Sequence, residues 1–227
     1  MSPDLQILLD AWSTLFTDHV EIVAGPISSA APALTIEECK SAGTVTSERM
    51  LELRTGRQYA KQALSSLGIN GVELPVLPDR SPAWPSGTTG SITHVRGRHG
   101  SHCAVAVGLA AKFSSIGIDI EYQHRVPPGT WPTFLTVREL RQMQILGESG
   151  RQKDVLCRWC VKESVIKAAR MRLDPLAIET EKTGVNGQWR AFTSVGTQFG
   201  AAEEFGWSVK SVQAEGFVMA AVAVHQL

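Results

Sequence analysis

The segment Ser115-Ile-Gly-Ile-Asp-Ile-Glu121 constrains the fold more than any other part of the sequence. Isoleucine alternates with other residues along it, and this two-residue period is typical of a β-strand with one buried face. Asp119 and Glu121 should therefore leave the same face, while the isoleucines anchor the other face in a core. Gly117 should leave room on the acidic face for another group to approach. The segment thus predicts a strand that presents two neighbouring carboxylates.

Two carboxylates held this close repel each other unless a cation neutralises them or one of them takes a proton. Oxygen ligands with open coordination positions suit Mg²⁺, which is usually bound by one or two carboxylates together with substrate phosphates. Asp119 and Glu121 are therefore candidate metal ligands. An edge strand with two solvated acids is the alternative, and the spacing alone does not exclude it.

A second segment, residues 158–169, contains no glycine or proline and has the spacing of an amphipathic helix. Its polar stripe contains Glu163, Lys167 and Arg170. Apolar residues flank this stripe, so we expect it to face a cleft within the protein rather than open water. Glu163 and Lys167 have the i, i+4 spacing of an ion pair. They are either a surface ion pair or a third acid and a cation placed beside the strand acids.

The distribution of charge along the chain is more informative than its total. The chain has 227 residues and no net formal charge, so nothing global indicates binding to nucleic acid or to a membrane surface. Residues 1–48 nevertheless contain seven acids and one Lys, a net charge of −6, whereas residues 49–112 have a net charge of +5. The basic segment could hold an anionic ligand. It includes most of a predicted helix, residues 46–67, which Gly68 should end.

Other features bear on the compartment of the protein. The sequence contains no run of about 18 apolar residues, so it predicts no membrane span. Asp4 and Asp10 interrupt the apolar residues near the first residue, so we expect no signal peptide. Four cysteines do not form a disulfide framework in a chain of this length. Cys157 and Cys160 lie within a helical pattern, and we expect them to pack that helix in a reducing cytosol. A cytoplasmic protein is therefore predicted.

The rest of the chain alternates between helical and strand patterns. Thr35-Ile-Glu-Glu38 has the spacing of a capping box. Helices are further predicted near residues 2–16 and 134–146, a connector at 24–34, and a tight turn at 90–94. Strands are predicted at residues 72–77, 102–109, 176–180, 188–193, 207–212 and 217–225. A hairpin should join the strand at 102–109 to the acidic strand, and a turn should occupy residues 183–187. Helices followed by an antiparallel meander in each half predict an α+β fold.

Three motifs occur in order along the chain: Gly90-Ser-Ile-Thr-His94, Gly117-Ile-Asp-Ile-Glu121, and Trp159-Cys-Val-Lys-Glu-Ser164 followed by Lys167. Each motif alone is weak, but the ordered combination is specific. Together they resemble 4′-phosphopantetheinyl transferases of the surfactin/enterobactin-synthetase type, from about Arg49 onwards to the last of the three motifs. The resemblance implies two similar halves, each with helices packed on a small antiparallel sheet, and an active site at their interface.

The resemblance also implies a boundary and roles for individual residues. Residues 1–115 would form the half with the basic segment that binds coenzyme A (CoA), and residues 116–227 the half with the acidic strand and the catalytic helix. Glu139 matches an acid that assists catalysis in some members. The implied metal ligands for Mg²⁺ are Asp119, Glu121 and Glu163. The implied CoA-binding residues are Arg49, Arg57 and Arg80 (for the 3′-phosphate), Ser91, Thr93, His94 (for the pyrophosphate), Lys162 and Lys167.

The implied reaction moves the phosphopantetheine arm of CoA to a serine of an apo acyl, aryl or peptidyl carrier protein and releases adenosine 3′,5′-bisphosphate. Glu163 would ligate Mg²⁺ or accept the serine proton, and Lys167 would stabilise the departing phosphate. The pathway stays open between fatty acids and secondary metabolites such as polyketides, non-ribosomal peptides and siderophores. Two halves in one chain favour a monomer.

Two other classes of function also stay open. A different Mg²⁺-dependent phosphotransferase or phosphohydrolase would need the same acids but no carrier protein. A non-catalytic protein that binds CoA or a carrier would need recognition residues only, and the presence of Asp119, Glu121, Glu163 and Lys167 together argues against it.

Overall fold

The computed structural model describes residues 3–16, 19–97, 100–124, 126–183, 187–193 and 207–226. Its α-helices are α1 (Pro3–Leu15), α2 (Ile36–Ala42), α3 (Ser47–Ser66), α4 (Val137–Met143) and α5 (Glu148–Ala169), with 3₁₀ turns at Pro128–Thr133 and Pro175–Ala177. Its strands are β1 (Val20–Pro26), β2 (Thr88–Gly97), β3 (Gly100–Leu109), β4 (Phe113–Tyr122), β5 (Ile178–Thr183), β6 (Gln188–Thr193), β7 (Trp207–Ala214) and β8 (Phe217–His225). The predicted α+β class is confirmed.

The strands form two antiparallel sheets, one from each half of the chain. The first sheet has three strands in the order β1-β3-β2, and the second has five in the order β4-β8-β7-β6-β5. The acidic strand β4 therefore lies at the edge of its sheet, with Asp119 opposite Ala220 of β8. Strand β2, which carries the first of the three motifs, is likewise an edge strand.

The main core lies between the two sheets, and the two-residue period of the strands separates it from the outer layers. On β8, Met219 and Ala221 face this central core, whereas Ala220 and Val222 pack against α5. On the other side of the molecule, α3 packs on the outer face of the three-stranded sheet. The layers are thus α3, first sheet, second sheet and α5. Helix α1 closes the central core with Trp12, which has no exposed surface.

Local sequence signals explain where the N-terminal helices begin and end. Thr35 caps α2, and its reciprocal bond with Glu38 forms the predicted capping box. Thr46 caps α3 by accepting a hydrogen bond from the backbone of Arg49. The chain leaves α3 at Gly68, whose φ of 79° favours glycine. None of the described helices is both long and apolar enough to cross a bilayer.

Four predictions of local structure are wrong. Residues 20–26 form β1, which overlaps the predicted connector, because this segment pairs with β3. Residues 72–77 contribute only an isolated bridge from Val76 to Pro82, since prolines in this region cannot donate to a ladder. Residues 90–94 lie within β2 rather than in a tight turn. Strand β4 pairs with β8 instead of forming a hairpin with β3.

Two predictions are untested by this structure. The predicted turn at residues 183–187 includes residues 184–186, which lie outside the described residues. The boundary between residues 115 and 116 stays a prediction. This boundary agrees with the division of the strands between the two sheets. Helix α1 belongs to the first half by sequence, but it packs in the central core together with Phe217 and Met219 from the second half.

Candidate active site

A cavity of about 590 Å³ lies where the edge strands β2 and β4 meet α3 and α5. It has an acidic wall from β4 and α5 and a basic wall from α3, β2 and the loop before β2. Every residue predicted to bind CoA or the metal, except Lys162, lines it: Arg49, Arg57, Arg80, Ser91, Thr93, His94, Asp119, Glu121, Glu163 and Lys167. The structure therefore brings together residues that are more than one hundred positions apart in sequence.

The acidic wall depends on the alternation along β4. Ile116, Ile118 and Ile120 are buried in the central core, so the intervening residues face α5. Gly117 permits this contact, because a Cβ atom there would lie 1.9 Å from the carbonyl oxygen of Ser164 on α5. The predicted room on the acidic face is thus filled by the backbone of α5. This close approach places α5 beside the two carboxylates.

Asp119 is the best-defined group of the acidic wall. Its Oδ1 accepts hydrogen bonds from Lys167 Nζ at 2.7 Å and Thr93 Oγ1 at 3.0 Å. Its Oδ2 is buried and has no hydrogen-bond partner in the described structure. A buried carboxylate oxygen without a partner is costly. This oxygen is therefore suited to receive a cation.

The negative charge of Asp119 affects the pKa values of the other two acids, Glu121 and Glu163. Burial raises the pKa of Glu121, and the negative charge of Asp119 raises it further, although Trp159 Nε1 donates to Glu121 Oε1 at 3.2 Å. Burial and Asp119 likewise raise the pKa of Glu163, while Lys167 opposes this effect. A cation among these acids would relieve their repulsion.

The acids do not form a ready-made cage of ligands. In the described ranges, no group of three or more carboxylate, histidine or cysteine side chains is arranged to hold a metal ion. Asp119, Glu121 and Glu163 share the cavity, and their assignment as metal ligands stays a prediction. Since Mg²⁺ usually completes its shell with waters and phosphate oxygens, a partial set of carboxylates is compatible with it.

The basic wall is organised around Glu52, which the sequence analysis did not single out. The Glu52 carboxylate accepts from Arg49 Nη1 at 2.9 Å and Arg96 Nε at 2.6 Å, and His94 Nε2 lies 2.9 Å away. Burial raises the pKa of Glu52, but the hydrogen bonds from Arg49 and Arg96 outweigh it and leave the pKa below its usual value. The sequence feature that could have indicated Glu52 is an acid three residues after Arg49 on a predicted helix rich in basic residues.

The other arginines of the wall are held in different ways. Arg57 is buried, and its Nε donates to the carbonyl of Leu74 at 2.5 Å. Arg80 is exposed, with a left-handed φ of 72° in the loop before β2. Arg170 and Arg172 follow α5 and line the same cavity. Neither is among the predicted site residues. Arg170 belongs to the polar stripe predicted for the segment that begins at residue 158, and this stripe is the signal that could have indicated it.

Hydroxyl groups on one face of β2 join the two halves. Arg170 donates to Thr89 Oγ1 at 2.9 Å, and the backbone N–H of Ile118 donates to Ser91 Oγ at 3.1 Å. Thr93 bonds to Asp119, as described above. Ser91 and Thr93 are almost fully buried, and their hydroxyls are engaged with the protein. Their proposed place near a cofactor stays a prediction, whereas their contact with β4 is observed.

The prediction that Lys162 contacts phosphate is wrong. Its side chain is fully buried, and Nζ donates to Phe134 O at 2.7 Å, Glu139 Oε2 at 2.7 Å and Pro175 O at 2.9 Å. All three ammonium protons are therefore used inside the protein. Glu139 also bonds to Thr180 Oγ1 and does not line the cavity. This pair fastens α4 and the segment before β5 to α5.

The arrangement defines what the cavity can do. The basic wall can hold an anionic ligand, and a divalent cation can lie between that ligand and Asp119. Half-buried Glu163 can take a proton from a group that enters the cavity. These three abilities together are those needed for transfer of a phosphorus-containing group.

The sequence matches two models of one family of proteins. Residues 38–107 match the 4′-phosphopantetheinyl transferase N-terminal domain, and residues 115–222 match the 4′-phosphopantetheinyl transferase superfamily. The two matches together span well over half of the chain.

Individual relatives carry the same description. The chain is 29% identical to 4′-phosphopantetheinyl transferase Svp of Streptomyces mobaraensis over 232 aligned residues, 96% of this chain and 87% of that protein. It is 29% identical to 4′-phosphopantetheinyl transferase PptT of Mycobacterium tuberculosis, over 69% of this chain and 66% of that protein. Among solved structures, the holo-[acyl-carrier-protein] synthase of Thermotoga maritima is similar over 49% of this chain and 63% of that one, with 22% identity and a TM-score of 0.40.

Proposed function

The chain belongs to the 4′-phosphopantetheinyl transferase superfamily, and we propose that its cavity transfers the arm of CoA to a serine of an apo carrier protein. The observation that supports this proposal most directly is the shared cavity, in which Asp119 and Glu163 face Arg49 and His94. A diphosphate that carries a nucleotide on one side and a pantetheine arm on the other fits between such walls.

The basic wall would bind CoA through its phosphates. Arg49, Arg57 and Arg80 would contact the 3′-phosphate, and His94 the diphosphate. Arginine suits this task because its guanidinium donates two parallel hydrogen bonds to phosphate oxygens. Ser91 and Thr93 would lie beside the bound nucleotide while keeping β2 attached to β4.

The acidic wall would hold Mg²⁺ through Asp119, Glu121 and Glu163. The unpartnered Oδ2 of Asp119 supports this assignment, because a cation would satisfy it. When bound, Mg²⁺ would neutralise charge on the diphosphate and make its phosphorus more electrophilic. Lys167 already neutralises the other oxygen of Asp119 and would stay close to the departing phosphate.

The chemical step forms a bond between the serine oxygen and the phosphorus that carries the pantetheine arm. The bond from that phosphorus to the bridging oxygen of the diphosphate breaks, and adenosine 3′,5′-bisphosphate leaves. Glu163 would accept the serine proton. Ligation of a metal lowers the basicity of a carboxylate, so the two roles of Glu163 compete.

The proposal also covers the acceptor protein, the roles of the two halves of the chain, and the location and oligomeric state of the protein. The acceptor would be an acyl, aryl or peptidyl carrier protein in fatty-acid, polyketide, non-ribosomal peptide or siderophore synthesis. Residues 1–115 would supply most CoA contacts and residues 116–227 the metal and proton-transfer groups. We propose that the protein acts as a cytoplasmic monomer.

One assay separates this function from the alternatives. Apo carrier protein is incubated with the protein, CoA and Mg²⁺, and the intact mass of the carrier is measured. A mass increase of one phosphopantetheine arm supports the transferase. Cleavage of CoA without a change of the carrier would indicate a phosphohydrolase, and neither event would indicate a binding protein.

Asp119→Ala should lower the rate of transfer by at least about a hundredfold, because it removes a charge aimed at the reacting diphosphate. The fold should survive, since Asp119 contributes no apolar contact to the core. The rate follows from the carrier mass over time, and circular dichroism reports the fold. Asp10→Ala, at an exposed position of α1, is the control and should keep full activity. An Asp119→Ala protein with full activity would contradict the metal assignment.

A further inference from the structure

Glu52 lies outside the three sequence motifs, yet it has the densest set of polar contacts on the basic wall. Its side chain is 4% exposed, and three cationic or ionisable side chains converge on it. Arg49 belongs to the same helix as Glu52, whereas His94 and Arg96 belong to β2. The carboxylate therefore ties α3 to the edge strand that borders the cavity.

The two carboxylate oxygens have different partners. Oε2 accepts from Arg49 Nη1 at 2.9 Å and faces His94 Nε2 at 2.9 Å, and Oε1 accepts from Arg96 Nε at 2.6 Å. Arg49 Nη1 and His94 Nε2 are also 3.2 Å apart. At this distance the guanidinium can donate to the imidazole ring, so Glu52, Arg49 and His94 form one connected hydrogen-bond network.

Glu52 acts on side chains that remain open to the cavity. The side chains of Arg49 and His94 are 40% and 34% exposed, and both line the cavity. Glu52 uses one Nη atom of Arg49, which leaves the other guanidinium nitrogens available for a ligand. An arginine that is already oriented loses less conformational freedom when it binds a phosphate.

We propose that Glu52 is a positioning residue that pre-orients Arg49 and His94 for the phosphates of CoA. This inference rests on the proposed function. It differs from a purely structural role, because it predicts that removal of the Glu52 charge weakens recognition of one particular phosphate. The opposite expectation is that the buried acid beside the site repels the anionic ligand. Removal of the Glu52 charge would then tighten the binding of CoA.

The test compares CoA with 3′-dephospho-CoA as substrates of the wild-type protein and of Glu52→Gln. In the wild type, CoA should be preferred, since Arg49 would contact the 3′-phosphate under the proposed function. In Glu52→Gln, the KM for CoA should rise about tenfold, equivalent to about 1.4 kcal/mol, while kcat changes by less than about threefold. The KM for 3′-dephospho-CoA should rise less, so that the preference for CoA shrinks.

Controls separate this role from loss of stability and loss of charge. Glu73→Gln removes an exposed acid elsewhere in the N-terminal half and should leave both KM values unchanged. Glu52→Asp keeps the charge but shortens the side chain, so it should fold and show a smaller change in the same direction. Calorimetric titration of each variant with CoA, without a carrier, measures binding apart from turnover.

The outcomes are distinct. If the wild type neither binds CoA nor modifies a carrier, the proposed function fails. If the wild type is active and folded Glu52→Gln keeps the wild-type preference between the two substrates, the positioning role is wrong. A lower KM for CoA in Glu52→Gln would also overturn it, because Glu52 would then compete with the ligand.

Discussion

At the scale of single residues, hydroxyl groups place the charged groups of the cavity. Thr93 Oγ1 bonds to both Lys167 Nζ, at 3.1 Å, and Asp119 Oδ1, at 3.0 Å. These contacts hold the Asp119 carboxylate through Oδ1, while the buried Oδ2 has no hydrogen-bond partner among the described residues. Thr93 therefore helps to fix the orientation of the Asp119 carboxylate and the Lys167 ammonium at the cavity wall.

Exchange of Thr93 for valine tests this contact with little change in side-chain shape. Thr93→Val should lower kcat/KM for transfer about tenfold, since a hydrogen bond to a charged group contributes about 1.5–3 kcal/mol. Thr93→Ser keeps the hydroxyl and should retain activity within about threefold. Rates measured from carrier mass give both values. Equal activity of the two variants would show that the Thr93 hydroxyl does not matter.

A second residue, Glu38, makes stability depend on pH. Burial raises the pKa of this carboxyl, but hydrogen bonds from Lys61 and from the backbone N–H groups of Thr35 and Leu74 outweigh burial and lower the pKa. A pKa that is lower in the folded state contributes stability above the unfolded value. That contribution is lost as the pH falls through the folded pKa.

Glu38→Gln should therefore lower the free energy of unfolding at pH 7 by about 1–3 kcal/mol, the cost of a buried group left without its partners. Below the folded pKa of Glu38 the difference from the wild type should narrow, because the wild-type carboxyl is then neutral as well. Urea unfolding at neutral and acidic pH measures both differences. A constant difference across that range would contradict the role of the Glu38 charge.

At the scale of secondary structure, the distance between β4 and α5 decides the geometry of the site. Helix α5 carries Glu163 and Lys167 on the face towards β4 and the buried Lys162 on another. Lys162 lies one residue from Glu163, and one residue along a helix rotates the side chain by about 100°. Lys162 therefore lies in the core, whereas its neighbour Glu163 lines the cavity.

Gly117→Ala should force β4 and α5 apart, because the new Cβ would meet backbone atoms of Ser164 and Ala168. We expect a loss of at least about 1–3 kcal/mol in the free energy of unfolding and a larger fall in transfer activity than this loss explains. Gly129→Ala is the matched control, since a Cβ there meets no atom within 4 Å. Denaturant unfolding and carrier modification are measured for both. Normal activity of Gly117→Ala would show that this approach is not critical.

At the scale of the whole molecule, two edge strands from different sheets bring the acidic and basic walls together. The acidic strand and the amphipathic helix could be predicted from sequence, because their periods are local. The pairing of β4 with β8 could not, since the partner lies about one hundred residues away and the β3–β4 turn looks like a hairpin. Lys162 was misassigned for a similar reason, as its partner Glu139 belongs to another helix. Glu52 was missed because its importance depends on β2.

The most direct test of the shared cavity is a crystal structure with CoA and Mn²⁺, which is an anomalous scatterer that can replace Mg²⁺. We expect one anomalous peak beside Asp119 Oδ2, in contact with an oxygen of the CoA diphosphate, and the 3′-phosphate beside Arg49. Bound CoA with its diphosphate outside this cavity, or a metal peak remote from Asp119, would show that the acidic and basic walls do not form one active site.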